Sequence, residues 1–337
     1  MMSVDFQSPS LMEEYLQEEE VSTEWYITPV SHFRFNPCQD DMSLTIEFDG
    51  GIASIYQEDN RVVETLLDRL QVEGPGIRNL PLEKKATVLN LLAENAAGDA
   101  TVAVRDGRVV ACLSAGSTEN DFRPLSSSQV FEKTRSTLYS MCGDEEDYFA
   151  GRVENGYVSC TYTLPMEMML NGVNRKVSVT MNTSDYGRSA VHFLAGLKFE
   201  GIVIPVYETK VLHRENNALN EIDERLSMLN KSIEDGTVTL ESLKEIPIDN
   251  PANALKRIGK KHKLPKKSAS KVIFDVEKGV KDGKSYSAYD LYSCMAEALK
   301  GYSESAKAEY VRHYTSSVLS LLGIDWKEYD LPGTFNW

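Results

Sequence analysis

RKVSVTMNTSDYGRSAVHFLAGLKFEGIVIPVYETKVLHRENNALNEIDERLSMLNKSIEDG, residues Arg175 to Gly236, holds the clearest periodicities in the chain. Val177, Val179 and Met181 alternate with Lys176, Ser178, Thr180 and Asn182. Successive side chains of a strand point to opposite faces, so this pattern predicts a sheet with one buried face. The polar loop Thr183 to Ser189 follows. Val191, Phe193, Leu197 and Phe199 then share a face on a return strand, read as running past Gly201 to Val206. Leu219, Ile222, Leu226, Leu229 and Ile233 come at steps of three and four. That spacing predicts one long amphipathic helix, stopped by Gly236.

Turn chemistry extends the pattern on the N-terminal side. Asp106-Gly107 separates two β-rich runs in TVAVRDGRVVACLS, Asn155-Gly156 does so between Tyr148 and Leu164, and Asp49-Gly50-Gly51 between Leu44 and Tyr56. Such dipeptides favour tight hairpins. Helical spacing marks 61–70, 82–97 and a segment near 128–142 that Ser126 to Ser128 can cap. On the C-terminal side, 287–299 and 303–322 read as helices. The expected fold class is therefore α+β. A mainly antiparallel sheet is built from the hairpins at 100–113, 148–164 and 175–206, helices 128–142 and 207–235 pack on one face, and a helical C-terminal region covers the rest. The expected organisation is an acidic N-terminal arm at 1–24, a small lobe at 25–98, a central core at 99–236, a basic linker at 237–271 and a helical region at 272–337.

Composition narrows the function classes. Among 337 residues the net charge is −15, which argues against a surface coated all over with nucleic acid but leaves room for a local basic site. No run approaches the roughly 18 apolar residues of a membrane helix, and the acidic start lacks the pattern of a signal peptide. The five cysteines are scattered and odd in number. They read as reduced thiols in a cytoplasmic setting.

Catalytic signatures are few. The five histidines are isolated from one another, and His-Glu-x-x-His, Gly-x-Ser-x-Gly and Gly-x-Gly-x-x-Gly are all missing. Gly279 to Ser285 comes near a phosphate loop after the strand-like KVIFDV, but has three residues between its glycines where four are needed. The plainer reading is a turn between a strand and a helix. The acids at 144–147 read as solvated rather than metal-binding. No cofactor and no metal is expected.

Two segments can recognise a partner. Leu255 to Lys271 holds eight Lys or Arg and no acid. Lys256, Arg257, Lys260, Lys261, Lys263, Lys266 and Lys267 can neutralise phosphates and release counterions. The same run also reads as a solvated linker, or as an internal partner for the acidic arm. The loop Asn182 to Ser189 offers Tyr186 beside Arg188, a pair suited to stacking on a base or closing on a phosphate. It also reads as a hairpin loop whose Ser184 and Asp185 bond their own backbone.

RVVACLS, the following FRPLSSSQVFEKTRSTL and the later SVTMNTSDYGRSAVHFLAGL resemble a widespread phage/plasmid-like family of unknown function. The resemblance lies in Arg123-Pro124, in Ser127 to Phe131, in Asn182 to Gly187 and in the C-terminal SYSAYDLYSCMAEAL. It covers roughly residues 85–325. FEGIVIPVYE stands where that family often has Arg-x-x-Cys-x-Asn-Gly. The order of elements is similar to the core of phage single-strand-annealing recombinases, ring or filament formers that hold single-stranded DNA in a basic groove.

The resemblance implies a non-enzymatic, oligomeric nucleic-acid-binding protein acting in recombination or replication. The sheet's polar face and the 256–271 run would carry the backbone contacts. The alternative is an acidic protein-binding module, a phage structural or counter-defence factor, engaging a host protein. An enzyme with a site assembled across the sheet ranks third.

Overall fold

The computed structural model describes residues 3–38, 41–48, 52–58, 75–113, 125–143, 148–154, 156–184, 190–199, 202–212, 218–303 and 306–335. The helix read at 61–70, the turn at 49–51, Arg123-Pro124, the acids at 144–147 and the loop residues 185–189 lie outside them. The α+β class holds, and the described residues form two antiparallel-rich sheets of six strands each, besides a short two-stranded ribbon, where one sheet was expected.

The first sheet runs in the order β2 (Thr23–Pro29), β6 (Asp99–Arg105), β7 (Arg108–Leu113), β5 (Ile52–Glu58), β4 (Asp41–Phe48), β3 (Phe33–Cys38). Its core joins Phe33, Phe35, Leu44, Ile46 and Val102 to Leu89 of α2 (Leu82–Asn95). Asn90 on α2 accepts from the Phe35 amide at 2.7 Å and donates to the Phe35 carbonyl at 2.9 Å. A side-chain amide thereby caps an edge strand that would otherwise offer open backbone groups.

The second sheet runs β1 (Ser3–Phe6), β8 (Tyr148–Glu154), β9 (Tyr157–Leu170), β10 (Val173–Ser184), β11 (Val191–Phe199), β12 (Ile202–Val211). Val177, Val179 and Met181 of β10 are fully buried, as their alternation predicts. They belong to a core with residues of α3 (Ser127–Cys142), α4 (Ala218–Ser227) and α5 (Leu229–Ser242). The Ser126 hydroxyl caps α3 by accepting from the Gln129 amide at 3.3 Å. Asp106-Gly107 and Asn171-Gly172 both take left-handed φ at their two turn positions, the geometry of tight hairpin turns.

Several expectations change. The 100–113 hairpin joins the first sheet, because its outer strand pairs with β2 from Thr23 to Pro29, a partner far away in sequence. The acidic N-terminus is docked: β1 pairs with β8, and α1 (Pro9–Val21) buries Met12 and Leu16. The return strand does not run on past Gly201. Phe199 pairs with Ile202, so the chain reverses there and β12 forms a sixth strand. Tyr207 to Val211 is consequently strand, and the helix after it is broken at Met228.

Gly236 is no stop. It lies inside α5, where a Cβ would run into the Val206 carbonyl of β12. Residues 237–271 are not a linker. They continue α5 and then form α6 (Pro251–Lys261) and the start of α7 (Lys266–Lys281). KVIFDV lies inside α7, so Gly279 is helical and no strand leads into a phosphate loop. After α7 come α8 (Ala288–Ser303) and α9 (Ala308–Leu319). No helix among the described residues is long and apolar enough to cross a membrane.

The close approach of α5 to β12 makes a test. Alanine in an open helix interior gains about 1 kcal/mol over glycine, whereas forcing a methyl group into a packed contact costs about 1–3 kcal/mol. Gly236→Ala is expected to lower stability in urea unfolding. A stabilised variant would show that the contact is slack.

Candidate functional site

The basic run forms a helical hairpin. Leu255 and Ile258 of α6 and Ala269, Val272, Ile273 and Val276 of α7 are buried, and their spacing leaves the cations on the outer faces. Lys260, Lys261, Lys263, Lys266, Lys267 and Lys271 are exposed. Residues 251–284 hold eleven Lys or Arg against three Asp or Glu, a net +8 on a chain of −15. Lys263 turns the chain between the helices with φ of 53°.

Four cations of the run are partly engaged within the fold. Lys256 pairs with Glu277 at 2.7 Å, and the Arg257 guanidinium stands 4.7 Å from the centre of the Phe335 ring. Lys260 stands 5.5 Å from the same ring, and Lys261 5.1 Å from that of Tyr329. The run itself contains no aromatic, but the C-terminal tail brings two rings to it. Tyr186 and Arg188 lie outside the described residues.

The tail is held to α6 through Asp330. Its carboxylate accepts from the backbone amides of Asp249 at 2.9 Å and Asn250 at 2.6 Å, and from the Asn250 side chain at 3.1 Å. These donors sit at the start of α6, where amides lack helical acceptors and an anion is favoured. Burial acts to raise the Asp330 pKa, but these bonds and Lys327 outweigh it and hold the group below its ordinary 3.8.

The second feature lies on the polar face of the second sheet. Ser159, Thr161, Thr180 and Asn182 project there, and that face is not open to a nucleic-acid backbone as expected. Helices α8 and α9 lie over it, and between sheet and helices is a cleft of about 510 Å³. The Tyr292 hydroxyl of α8 donates to the Pro205 carbonyl of β12 at 2.6 Å, tying this cover down. Thr161 and Thr180 bond each other at 2.8 Å across the floor.

A half-buried polar chain closes one end. His192 Nδ1 donates to Glu208 at 3.0 Å, and Ser316 donates to the same oxygen at 2.8 Å. With Nδ1 protonated, His192 Nε2 is the acceptor that faces Arg312 Nη1 at 3.4 Å. Burial acts to raise the Glu208 pKa, yet the bonds from His192 and Ser316 and the positive charges nearby hold it below its ordinary 4.5. Serine, histidine and a carboxylate are all present, but not as a nucleophile and its base. The serine bonds the carboxylate, and the imidazole nitrogen that would serve as base is turned to a guanidinium.

Sequence reading finds the basic run and misses the cleft. His192 and Arg312 stand 120 residues apart, so no local motif joins them. One signal is present: Ser159, Thr161 and Thr163 of β9 and Ser178, Thr180 and Asn182 of β10 form an uncharged polar block, with Glu167 and Lys176 only at its end. A strand face turned to water ordinarily carries charge.

Both carboxylates have lowered folded pKa values, so each stabilises the fold fully above its unfolded value and loses that contribution as pH falls through the folded one. Stability is therefore expected to decline below about pH 4.5, and Glu208→Gln to flatten the upper part of that decline in unfolding measured against pH. Asp330→Ala is expected to cost about 1–3 kcal/mol and to speed hydrogen exchange at Asp249 and Asn250. Unchanged exchange there would show that the tail does not hold α6.

Among the described residues no group of three His, Cys, Asp or Glu could hold a metal ion. No protein-family model, no curated protein and no solved structure matches the chain.

Proposed function

We propose that the protein binds single-stranded nucleic acid, without catalysing a reaction on it, through the outer face of the α6–α7 hairpin. The observation that carries this reading is the separation of charge. With +8 on residues 251–284, the remaining chain carries −23. A field divided in this way draws a polyanion to one face and repels it from the others. Exposed lysines suit phosphates, and the part-exposed ring of Phe335 stands next to them, the combination of charge and aromatic used to hold a strand whatever its sequence. A groove between α7 and α8 extends the surface and is lined by Lys267, Lys271 and Lys300, with Asp275 and Glu297 also present.

The resemblance to phage annealing proteins extends the reading to DNA recombination or replication, in the cytoplasm of a phage host, by a homo-oligomer. Trp25 and Ile27, 37% and 74% exposed on the edge strand β2, offer apolar area to a second copy. The alternative is an acidic surface that engages a basic host protein, and it draws on the exposed Glu14, Glu18 and Glu20 of α1.

Titration of single-stranded DNA at a series of salt concentrations tests the reading. Affinity is expected to fall linearly on logarithmic axes, and changing Lys260, Lys261, Lys263, Lys266 and Lys267 to Glu should lower the slope by about 0.7 for each phosphate left without its lysine. Binding without salt dependence, or none at all, would remove this function and favour the protein-binding alternative. The solution mass should exceed that of one chain; a monomer at every concentration would sink the annealing role.

A further inference from the structure

The cleft beneath α8 and α9 shares only Lys300 and Ala306 with the groove between α7 and α8, and its polar floor has no part in the nucleic-acid reading. We propose that it binds a small organic oxoanion, a molecule with one carboxylate or phosphate group on an apolar body.

The charge of the site comes first. Arg312 is only 9% exposed, and among the described residues no carboxylate pairs directly with its guanidinium. Its Nη atoms meet the imidazoles of His192 and His313, at 3.4 Å and 2.9 Å. Its Nε is buried with no hydrogen-bond partner. A buried cation without a paired anion is costly, by several kcal/mol. Glu208 lies beyond the His192 ring and acts on the guanidinium charge at a distance, without a hydrogen bond to it. The cleft lining as a whole has three cations, Arg152, Lys300 and Arg312, against the single carboxylate of Asp5. Arg152 and Asp5 satisfy each other at 2.6 Å. Among the described residues Arg312 is the cation sunk deepest in the fold.

A second donor stands on the same face. Asn182 is 2% exposed, lines the cleft and leaves its Nδ2 without a partner. It lies directly across from His192 in the β10–β11 pairing, so its side chain shares the face from which His192 reaches Arg312. Asn182 Nδ2 and Arg312 Nε belong to two of the residues that line the cleft, and buried donors of this kind call for an acceptor. A carboxylate or phosphate offers two or more oxygens to such a pair.

The rest of the cleft selects for an apolar body. Leu194 and Val203 extend the floor on the sheet side, and Leu299 of α8 lines the cleft from the helical cover. The volume of about 510 Å³ falls within the usual 300–1,000 Å³ of small-molecule sites. It is too small for a nucleic-acid strand.

The test uses the full chain and three probes with one apolar body: benzoate, phenyl phosphate and neutral benzamide. Each is titrated while the methyl resonances of Leu194 and Val311 are followed. The two anions are expected to shift those methyls and to bind about tenfold or more tightly than benzamide, the discrimination of one charge-assisted hydrogen bond or more. Arg312→Gln should remove that discrimination and leave benzamide unchanged. If Arg312→Gln does not fold, Asn182→Leu, which keeps the cation, should weaken both anions about tenfold. Reversal of the 260–267 lysines should leave the methyl shifts intact, which separates this site from the nucleic-acid surface. The proposal is overturned if no anion shifts the methyls, if benzamide binds as tightly as benzoate, or if a folded Arg312→Gln or Asn182→Leu variant keeps full anion affinity.

Discussion

A strand buried on both faces must satisfy each face by different means, and β10 does so. Val177, Val179 and Met181 face the apolar core shared with α3, α4 and α5. Ser178 and Asn182, each 2% exposed, face the other way. Apolar burial supports the first face without regard to direction. The second must find hydrogen bonds, because a hydroxyl or amide taken from water without a partner costs free energy. The Thr161–Thr180 bond meets part of that need within the sheet. The rest is left to the C-terminal helices, which press down at β12 through Tyr292 and stand away where the cleft opens. Cover and cleft are thus two results of one requirement.

The same division runs through the electrostatics. Much of the chain's acidity lies away from α6 and α7, and part of it has structural work. Glu13 pairs with Arg135 at 2.8 Å, and Glu19 meets Arg105 across the junction between the lobes. Part-exposed pairs of this kind contribute little to stability, about 0–1 kcal/mol each, but they use charge that would otherwise face solvent. Asp330 is of another kind. Its side chain is 4% exposed and serves two backbone amides at once, so it fixes the position of the most basic part of the molecule from an acidic tail.

The sequence makes local structure plain and long-range pairing obscure. Asp106-Gly107 and Asn171-Gly172 announce their turns because few other residues accept left-handed φ. Ser126 announces a helix start. Nothing local says that the 99–113 hairpin pairs with Thr23 to Pro29, since strand partners are chosen by global packing. KVIFDV misleads over six residues because Val and Ile favour strands. Over a longer window Ala269, Val272, Ile273 and Val276 take the helical spacing that α7 adopts. Gly236 resembles a helix stop until β12 is placed beside it. Of the two sites, the basic run is readable as a block of charge, while Arg312 and His192 acquire meaning only from a fold that joins them.

The order of the strands has a further consequence, for the time course of folding. β1 is the first strand in the chain, yet its partner β8 comes more than 140 residues later, and the whole first sheet, 23–113, lies between them. Contacts of such sequence separation close slowly, because the loop entropy must be met before the pairing returns anything. As the chain emerges from a ribosome, the first sheet has all its strands at hand long before β1 has an edge to join. Until then β1 and the apolar side of α1, with Met12 and Leu16, stay uncovered. β1 and α1 therefore find their place only once β8 has formed, well after the strands of the first sheet are available to one another.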